Sequence, residues 1–307
     1  MLSAFFDVGV QVAVLFILIF LGALLTKLNI ITQSGVKSIT DIVLYAVTPC
    51  VIINAFQREY DSKMLKNLLV VLLIAFLTML FSVVLAELLY RKKDVDRAVV
   101  LKFCVVFSNC GFMSLPLQQA ILNDDGVFYG AAFVAVFNIF MWTYGVITMS
   151  GKKEIKQISK AIINPGIIGT VIGVLLFVFS VTLPKILAMP IEFLAALNTP
   201  VPMLIIGFYL ANTNLKYIIK SKDAYPAVAL RLIIIPLLLI FILKLLAVPK
   251  IILTAVTIST CAPAAAITTM LCAKYNHDTK LSASIVSAST ALSLITMPIM
   301  ISLAQYI

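Results

Sequence analysis

Ten long apolar runs dominate this sequence and strongly limit how it can fold. A helix needs about 20 residues to cross the hydrocarbon core of a bilayer, so each run predicts one membrane-spanning helix. Only 12% of the residues are charged, whereas a soluble domain carries about 25%, so there is no room for a sizeable soluble domain. We therefore predict an all-α membrane protein with ten transmembrane helices. The predicted spans are 7–26, 38–56, 66–89, 96–121, 126–149, 161–181, 187–211, 224–246, 250–273 and 281–304.

The lysines and arginines are unevenly divided between the two sides of the predicted bundle. Of the 23, 16 fall in or beside the loops 1–2, 3–4, 5–6, 7–8 and 9–10, and 6 fall on the opposite side. Loops rich in lysine and arginine are cytoplasmic, which predicts a multi-pass cell-membrane protein with both termini outside. This topology accounts for the net charge of +10 without a nucleic-acid partner. The remaining Arg231 lies near the cytoplasmic end of span 8, where we expect it to snorkel to the surface.

The two halves of the chain, 1–150 and 158–307, resemble each other at a constant shift of 151 positions. Each half contains five spans, and because five is an odd number the second half is inverted relative to the first. An inverted repeat of this kind is the architecture of many secondary transporters. The aligned landmarks are Gly22 with Gly173, Thr48-Pro49 with Thr199-Pro200, and Cys110 with Cys261.

Spans 4 and 9 are interrupted at equivalent positions. Span 4 contains SNCGFMSLP (108–116), and we expect the helix to lose regularity across Asn109–Leu115 and to restart near Pro116. Span 9 contains STCAPAAAI (259–267), which lacks asparagine and glycine, so we expect a tighter and less polar break. Two broken helices crossing near the bilayer midplane would direct two positive helix N-termini at the crossing. That arrangement favours a small anion such as a carboxylate.

The candidate substrate-binding residues lie at these interruptions and at polar or proline positions in neighbouring spans. The crossing would contribute Asn109, Cys110, Gly111 and Pro116 from span 4, and Thr260, Cys261, Ala262 and Pro263 from span 9. The neighbours are Asn138, Thr48, Pro49, Thr199 and Pro200. Helix packing and substrate contact are both open for Asn138. The Thr-Pro pairs are expected to interrupt spans 2 and 7, where they could act as hinges or line the cavity beside the crossing. Trp142 is interpreted as a packing residue, and His277 as a solvated loop residue.

Acidic residues are absent from the middle of the predicted spans. Asp41, Glu87 and Glu192 all lie within about one helical turn of a span end. A cation or proton exchanger normally uses an intramembrane acid, so that function is disfavoured. The sequence also lacks HExxH, GxSxG and P-loop motifs. We therefore expect that the protein is not an enzyme and that it has no cofactor or metal site. A membrane sensor or scaffold that retains a transporter fold stays open as an alternative.

Several segments resemble the auxin efflux carrier family, which includes bacterial permeases and the plant PIN auxin transporters. They are SNCGFMSLPL (108–117), NPGIIGTVIGVLL (164–176), TPVPMLIIGFYLA (199–211) and STCAPAAAITTMLCAKYNHD (259–278). Asn109, Pro116 and Pro263 match the family's crossover residues. The resemblance implies a bile-acid-symporter/PIN-like fold, with a scaffold of helices 1, 2, 6 and 7 and a mobile part of helices 3–5 and 8–10. It also implies a homodimer and an elevator-type secondary carrier of organic anions, either malate-like dicarboxylates or auxin-like aromatic acids.

Overall fold

The computed structural model describes residues 2–91, 94–151, 165–213, 222 and 224–307. Within them every regular element is helical, apart from one isolated β-bridge. Seven of the helical segments in this part of the chain are long and apolar enough to cross a membrane, α7 and α8 counting as one. The helices are α1 Leu2–Lys27, α2 Gln33–Ala55, α3 Ser62–Leu89, α4 Val95–Val106, α5 Cys110–Ser150, α6 Pro165–Val178, α7 Lys185–Ala196, α8 Pro200–Ala211, α9 Ala224–Leu245, α10 Lys250–Thr260, α11 Ile267–Tyr275 and α12 Thr279–Tyr306.

The prediction of an all-α, multi-pass membrane protein is confirmed for the described residues. The beginning of the predicted span 161–181, together with most of the basic loop before it, lies outside them. The largest difference concerns the predicted spans 96–121 and 126–149. Helix α5 runs through the second half of one and the whole of the other, and it bends at Asn123, whose φ of 54° and ψ of −147° are not helical. Asparagine is one of the few residues that tolerates a positive φ.

The two limbs of α5 on either side of this bend are in close contact. A Cβ atom at Gly126 would lie 2.6 Å from the carbonyl oxygen of Gln118, and one at Gly130 would overlap the Gln118 side chain. Gln118 is fully buried, and its amide donates to the carbonyl of Ala255 and the hydroxyl of Ser259, both at 2.9 Å. The bend therefore anchors the beginning of α5 to α10.

Small residues bring α1, α2, α6 and α8 together. A Cβ at Gly22 would collide with the backbone of Leu204, and a Cβ at Gly207 would collide with that of Ile19. A Cβ at Gly169 would lie 2.9 Å from the Cα of Pro49. Within a membrane, small residues of this kind allow helix backbones to approach each other closely. Pro49 is thereby placed in a contact between α2 and α6.

The Thr48-Pro49 pair does not interrupt its helix, contrary to the sequence prediction. Helix α2 continues through it by way of one π-helical turn, Val43–Val47. Both the backbone N–H and the hydroxyl of Thr48 donate to the carbonyl of Val43. These bonds keep the helix intact next to a residue that has no N–H of its own. The Thr199-Pro200 pair does separate two helices, since α7 ends at Ala196 and α8 begins at Pro200.

His277 is not the solvated loop residue that the sequence suggested. Its side chain is only 13% exposed. One ring nitrogen lies 2.7 Å from the carbonyl oxygen of Met149 and the other lies 3.1 Å from the carboxylate of Asp96. The loop between α11 and α12 is therefore attached to the end of α5 and to the first turn of α4.

Candidate functional site

The first interruption, residues 107–109, is shorter than predicted. Helix α4 ends at Val106, and helical structure resumes at Cys110 with a π-helical turn that leads into a regular α-helix at Leu115. The carbonyl of Asn109 accepts hydrogen bonds from the N–H groups of Met113 and Ser114, so helical hydrogen bonding resumes well before Pro116. Pro116 instead occupies the first turn of the regular α-helical part, where a missing N–H costs little.

The second interruption, residues 261–266, is longer than the first, so the expectation of a tighter break is wrong. Helix α10 ends at Thr260 and α11 begins only at Ile267. An alanine-rich segment has few side-chain groups to cap its own backbone. The N–H of Ala264 donates instead to the hydroxyl of Ser289 on α12, at 3.1 Å. An external partner therefore supports this break, which allows it to be extended.

The two interruptions lie against each other and pair through their backbones. The N–H of Asn109 donates to the carbonyl of Pro263 at 2.7 Å, and the N–H of Ala265 donates to the carbonyl of Phe107 at 2.9 Å. Ser108 and Ala264 form an antiparallel β-bridge between these bonds. Each non-helical segment thus satisfies backbone groups of the other, which is a requirement for irregular structure at membrane depth.

Arg231 lies behind this junction and is only 3% exposed, so the prediction that it snorkels is wrong. Its guanidinium donates to the carbonyls of Val105 and Val106 at 2.9 and 3.1 Å, and to that of Thr260 at 2.5 Å. These carbonyls belong to the last turns of α4 and α10. Because the last carbonyls of a helix have no partner within it, they offer Arg231 a buried set of acceptors.

A cavity of about 590 Å³ lies beside the two interruptions. Asn109 and Asn138 both line it, although each residue is at least nine-tenths buried, with exposures of 6% and 7%. Neither side-chain amide forms a hydrogen bond within the part of the chain that the structure describes. The described lining residues are Thr40, Leu44, Tyr45, Thr48, Ser108, Asn109, Gly111, Phe112, Val134, Phe137, Asn138, Met141, Trp142, Pro165, Gly166, Ala265, Ala266, Ile267, Met270 and Lys274.

The described part of the cavity wall is mainly apolar and aromatic, and it carries one charged group. Tyr45, Phe112, Phe137 and Trp142 form much of the wall, so Trp142 is more than the packing residue it was taken to be. Lys274 supplies the charge and is exposed at the protein surface. Among the lining residues in the described part of the chain there is no carboxylate. Two unpaired amides and a lysine, without a competing acid, form a set of donors suited to an anion.

Lys274, Ser108 and the aromatic wall were not predicted as cavity residues from the sequence, although helical periodicity groups several of the lining residues on common helix faces. The lining residues of α11 are Ile267, Met270 and Lys274, which are spaced three and four apart and therefore share one helix face. The lining residues of α2, which include Thr40, Leu44 and Thr48, are spaced four apart. Periodicity groups such residues on a face, but it does not say which face borders a cavity.

The predicted site residues fall into three groups. Asn109, Gly111, Asn138 and Thr48 line the large cavity. Thr199 lines a smaller cavity of about 250 Å³, together with Asn54, Gln119, Asp124, Glu192 and Asn198. The others line neither of these cavities. Pro49 lies in the contact between α2 and α6, and Pro200 is the first residue of α8. The remaining residues are buried around the junction: Cys110, Pro116, Thr260, Cys261, Ala262 and Pro263.

Comparison with known proteins gives the family to which this arrangement belongs. The family described as membrane transport protein, which is the auxin efflux carrier family, matches residues 7–160 and 154–301. The chain belongs to the auxin efflux carrier family. An uncharacterized transporter from Methanocaldococcus jannaschii is 24% identical to it over 296 residues, which cover 92% of this chain and 94% of the relative. This auxin efflux carrier family member is therefore a membrane transport protein.

Proposed function

We propose that this protein is a secondary carrier of small organic anions, with the substrate bound in the 590 Å³ cavity beside the two interruptions. The observation that carries the proposal is the pair of free, buried amides of Asn109 and Asn138 in a cavity whose described lining carries one charged residue, Lys274. A carboxylate would accept hydrogen bonds from both amides. Gly111 and Ile267 also line the cavity, which places the positive N-termini of α5 and α11 beside it.

The cavity favours a monocarboxylate with an apolar or aromatic body over a dicarboxylate. One carboxylate can bind the amides while the rest of the molecule packs against Phe112, Phe137 and Trp142. A second carboxylate would have Lys274 as its charged partner in this lining, or else it would lie unpaired against apolar side chains. Burying an unpaired charge is expensive, so the wall itself discriminates against it.

We infer that the chain has ten spans in two inverted repeats and works by an elevator-type mechanism. In support, α1 and α6 end at Lys27 and Val178, which are 151 positions apart, the shift that relates the sequence landmarks. The inferred scaffold comprises spans 1, 2, 6 and 7, and the inferred mobile part comprises spans 3–5 and 8–10. The large cavity is lined from the scaffold by α2 and α6, and from the mobile part by α5 and α11.

A carrier of this type needs access from both sides of the membrane, and the second cavity supports that arrangement. It lies between α2 and α7 of the inferred scaffold and α5 of the inferred mobile part. With both termini outside, the surface at Lys274 faces the cytoplasm and the cavity at Glu192 faces the exterior.

We also infer a homodimer in the cell membrane.

The deciding experiment measures uptake of labelled carboxylates into proteoliposomes. The panel contains aromatic monocarboxylates, aliphatic monocarboxylates and dicarboxylates. We expect saturable uptake that is fastest for an aromatic monocarboxylate. Replacing Lys274 by Gln should reduce uptake most at low ionic strength, whereas the exposed Lys280, which does not line the cavity, serves as the control in Lys280→Gln. The proposal fails if the wild-type protein moves no member of the panel.

The same preparation separates the two alternative functions. Binding of a carboxylate without any uptake would identify a sensor or scaffold that retains the transporter fold. Proton movement that depends on an added cation, without carboxylate flux, would identify a cation/proton exchanger. The smaller cavity, which contains Asp124 and Glu192, would then be the first place to look for its site.

A further inference from the structure

Arg231 is a buried cation whose partners are backbone carbonyls. Within the described residues its guanidinium forms no ion pair with a carboxylate, and the three acceptors it contacts belong to Val105, Val106 and Thr260. A lone charge in a membrane interior is costly, so a buried arginine without an acidic partner requires another source of compensation. The two helix ends that it contacts provide that source.

Arg231 offsets the partial negative charges at the ends of α4 and α10, whereas the partial positive charges at the beginnings of α5 and α11 have no carboxylate partner in the described cavity lining. The C-terminal end of a helix carries roughly −0.5 of an elementary charge, so the ends of α4 and α10 together offset about one positive charge. Arg231 contacts both ends and supplies that charge. The N-terminal ends of α5 and α11 lie beside the cavity, whose described lining contains no carboxylate to offset them.

We propose that Arg231 is a positioning residue: it fastens the carboxyl ends of α4 and α10 together and neutralises them, so that the N-terminal ends of α5 and α11 stay opposed at the cavity. The part of this inference that concerns anion binding rests on the proposed carrier function. The part that concerns the junction does not depend on it.

The guanidinium is suited to this position in a way that an ammonium is not. Its planar fork reaches α4 through one terminal nitrogen, which donates to Val105 and Val106, and α10 through the other, which donates to Thr260. A lysine would keep the charge but presents its donors from a single nitrogen on a flexible stem. Arg231→Lys should therefore retain part of the function that Arg231→Met loses.

The natural cysteines provide a test that does not require transport. Cys110 and Cys261 are fully buried at the junction, within electrostatic reach of Arg231. Cys272, in the second half of α11, is equally buried and makes no contact with Arg231 among the described hydrogen bonds, so it serves as the internal control. Purified protein is treated with a maleimide, and the labelling rate of each cysteine is followed by peptide mass spectrometry.

We expect Arg231→Met to label Cys110 and Cys261 about tenfold faster than the wild type, because hydrogen bonds from a charged donor are lost at the junction. The labelling rate of Cys272 should be unchanged, and Arg231→Lys should give an intermediate rate at Cys110 and Cys261. Binding of benzoate, used as a monocarboxylate probe, should weaken in the order wild type, Arg231→Lys, Arg231→Met. Leu230→Ala, a neighbouring buried position on α9, should not reproduce this selective labelling.

Two results would overturn the inference. Equal acceleration at Cys110, Cys261 and Cys272 would mean that Arg231 stabilises the whole protein rather than the junction. Unchanged labelling of Cys110 and Cys261 would mean that Arg231 does not hold the junction closed. If Arg231→Met cannot be purified, the same two criteria apply to Arg231→Lys. A wild type that moves no carboxylate would refute the carrier function while leaving the labelling result to judge Arg231.

Discussion

The two helix interruptions occupy equivalent places in the chain but are built differently. The first covers residues 107–109; the Asn109 carbonyl accepts the first helical bonds of α5, and the Asn109 amide is free in the cavity. The second covers residues 261–266, has no amide side chain, and takes a partner for Ala264 from Ser289 of α12. With the proposed function, ligand recognition and structural support are therefore divided between the two interruptions. The first interruption offers donors to a ligand, and the second mainly offers backbone to the first.

The largest expected effect comes from removing one polar side chain at each interruption in turn: Asn109 in the first, and Thr260, the last residue of α10, directly before the second. Asn109→Ala should weaken binding of the best carboxylate in the uptake panel by about 10- to 100-fold, since a hydrogen bond to a charged group contributes roughly 1.5–3 kcal/mol. Thr260→Val should leave binding unchanged, because the Thr260 hydroxyl is buried without a partner in the described residues and does not line the cavity. Isothermal titration calorimetry of both variants gives the two affinities.

A partly buried amide outside the cavity provides the control for this comparison. Asn67 donates to the hydroxyl of Tyr129 and lines neither cavity, so Asn67→Ala should bind the carboxylate normally. Similar losses of affinity in Asn109→Ala and Thr260→Val would contradict the division of roles, because both interruptions would then contact the substrate through their side chains.

The second effect in size concerns stability rather than binding. Ser289→Ala removes the partner of the Ala264 N–H, and an unsatisfied buried donor costs about 1–3 kcal/mol. Ser302→Ala on the same helix removes a buried hydroxyl that has no partner among the described residues, and it should change stability little. Thermal unfolding in detergent compares the two variants with the wild type. An unfolding midpoint that falls equally in both would mean that the second interruption does not depend on Ser289.

The sequence was sufficient to locate both interruptions, because proline and glycine within an apolar run are local signals. It was not sufficient to give their lengths. The first interruption pairs with the backbone of Pro263 and Ala265, and the second takes the Ser289 hydroxyl as an acceptor for the Ala264 N–H, so their partners are not encoded nearby. Arg231 shows the limit most clearly, since its acceptors Val105 and Thr260 lie 126 and 29 positions away. A lone arginine near the end of a span is normally a snorkelling residue, and only tertiary packing distinguishes the exception.

The smallest expected effect tests whether the glycine of the first interruption has a conformational role. Glycine permits irregular backbone conformations, but the φ of Gly111 does not lie in the left-handed region, and a Cβ there would meet no atom within 4 Å. Glycine within a helix costs roughly 0.5–1 kcal/mol relative to alanine, so Gly111→Ala should be as stable as the wild type or slightly more stable. Gly126→Ala, where a Cβ would press on the Gln118 carbonyl, should be clearly destabilised in the same thermal assay.

Uptake measurements on Gly111→Ala then sharpen the comparison between the two interruptions. A methyl group occupies little of a 590 Å³ cavity, so affinity should change only slightly. If stability and affinity are both retained while turnover falls, the glycine is needed for movement between states and not for either state alone. The first interruption would then provide flexibility as well as recognition. Unchanged turnover would instead leave it as a rigid, pre-formed binding surface held in place by the second interruption.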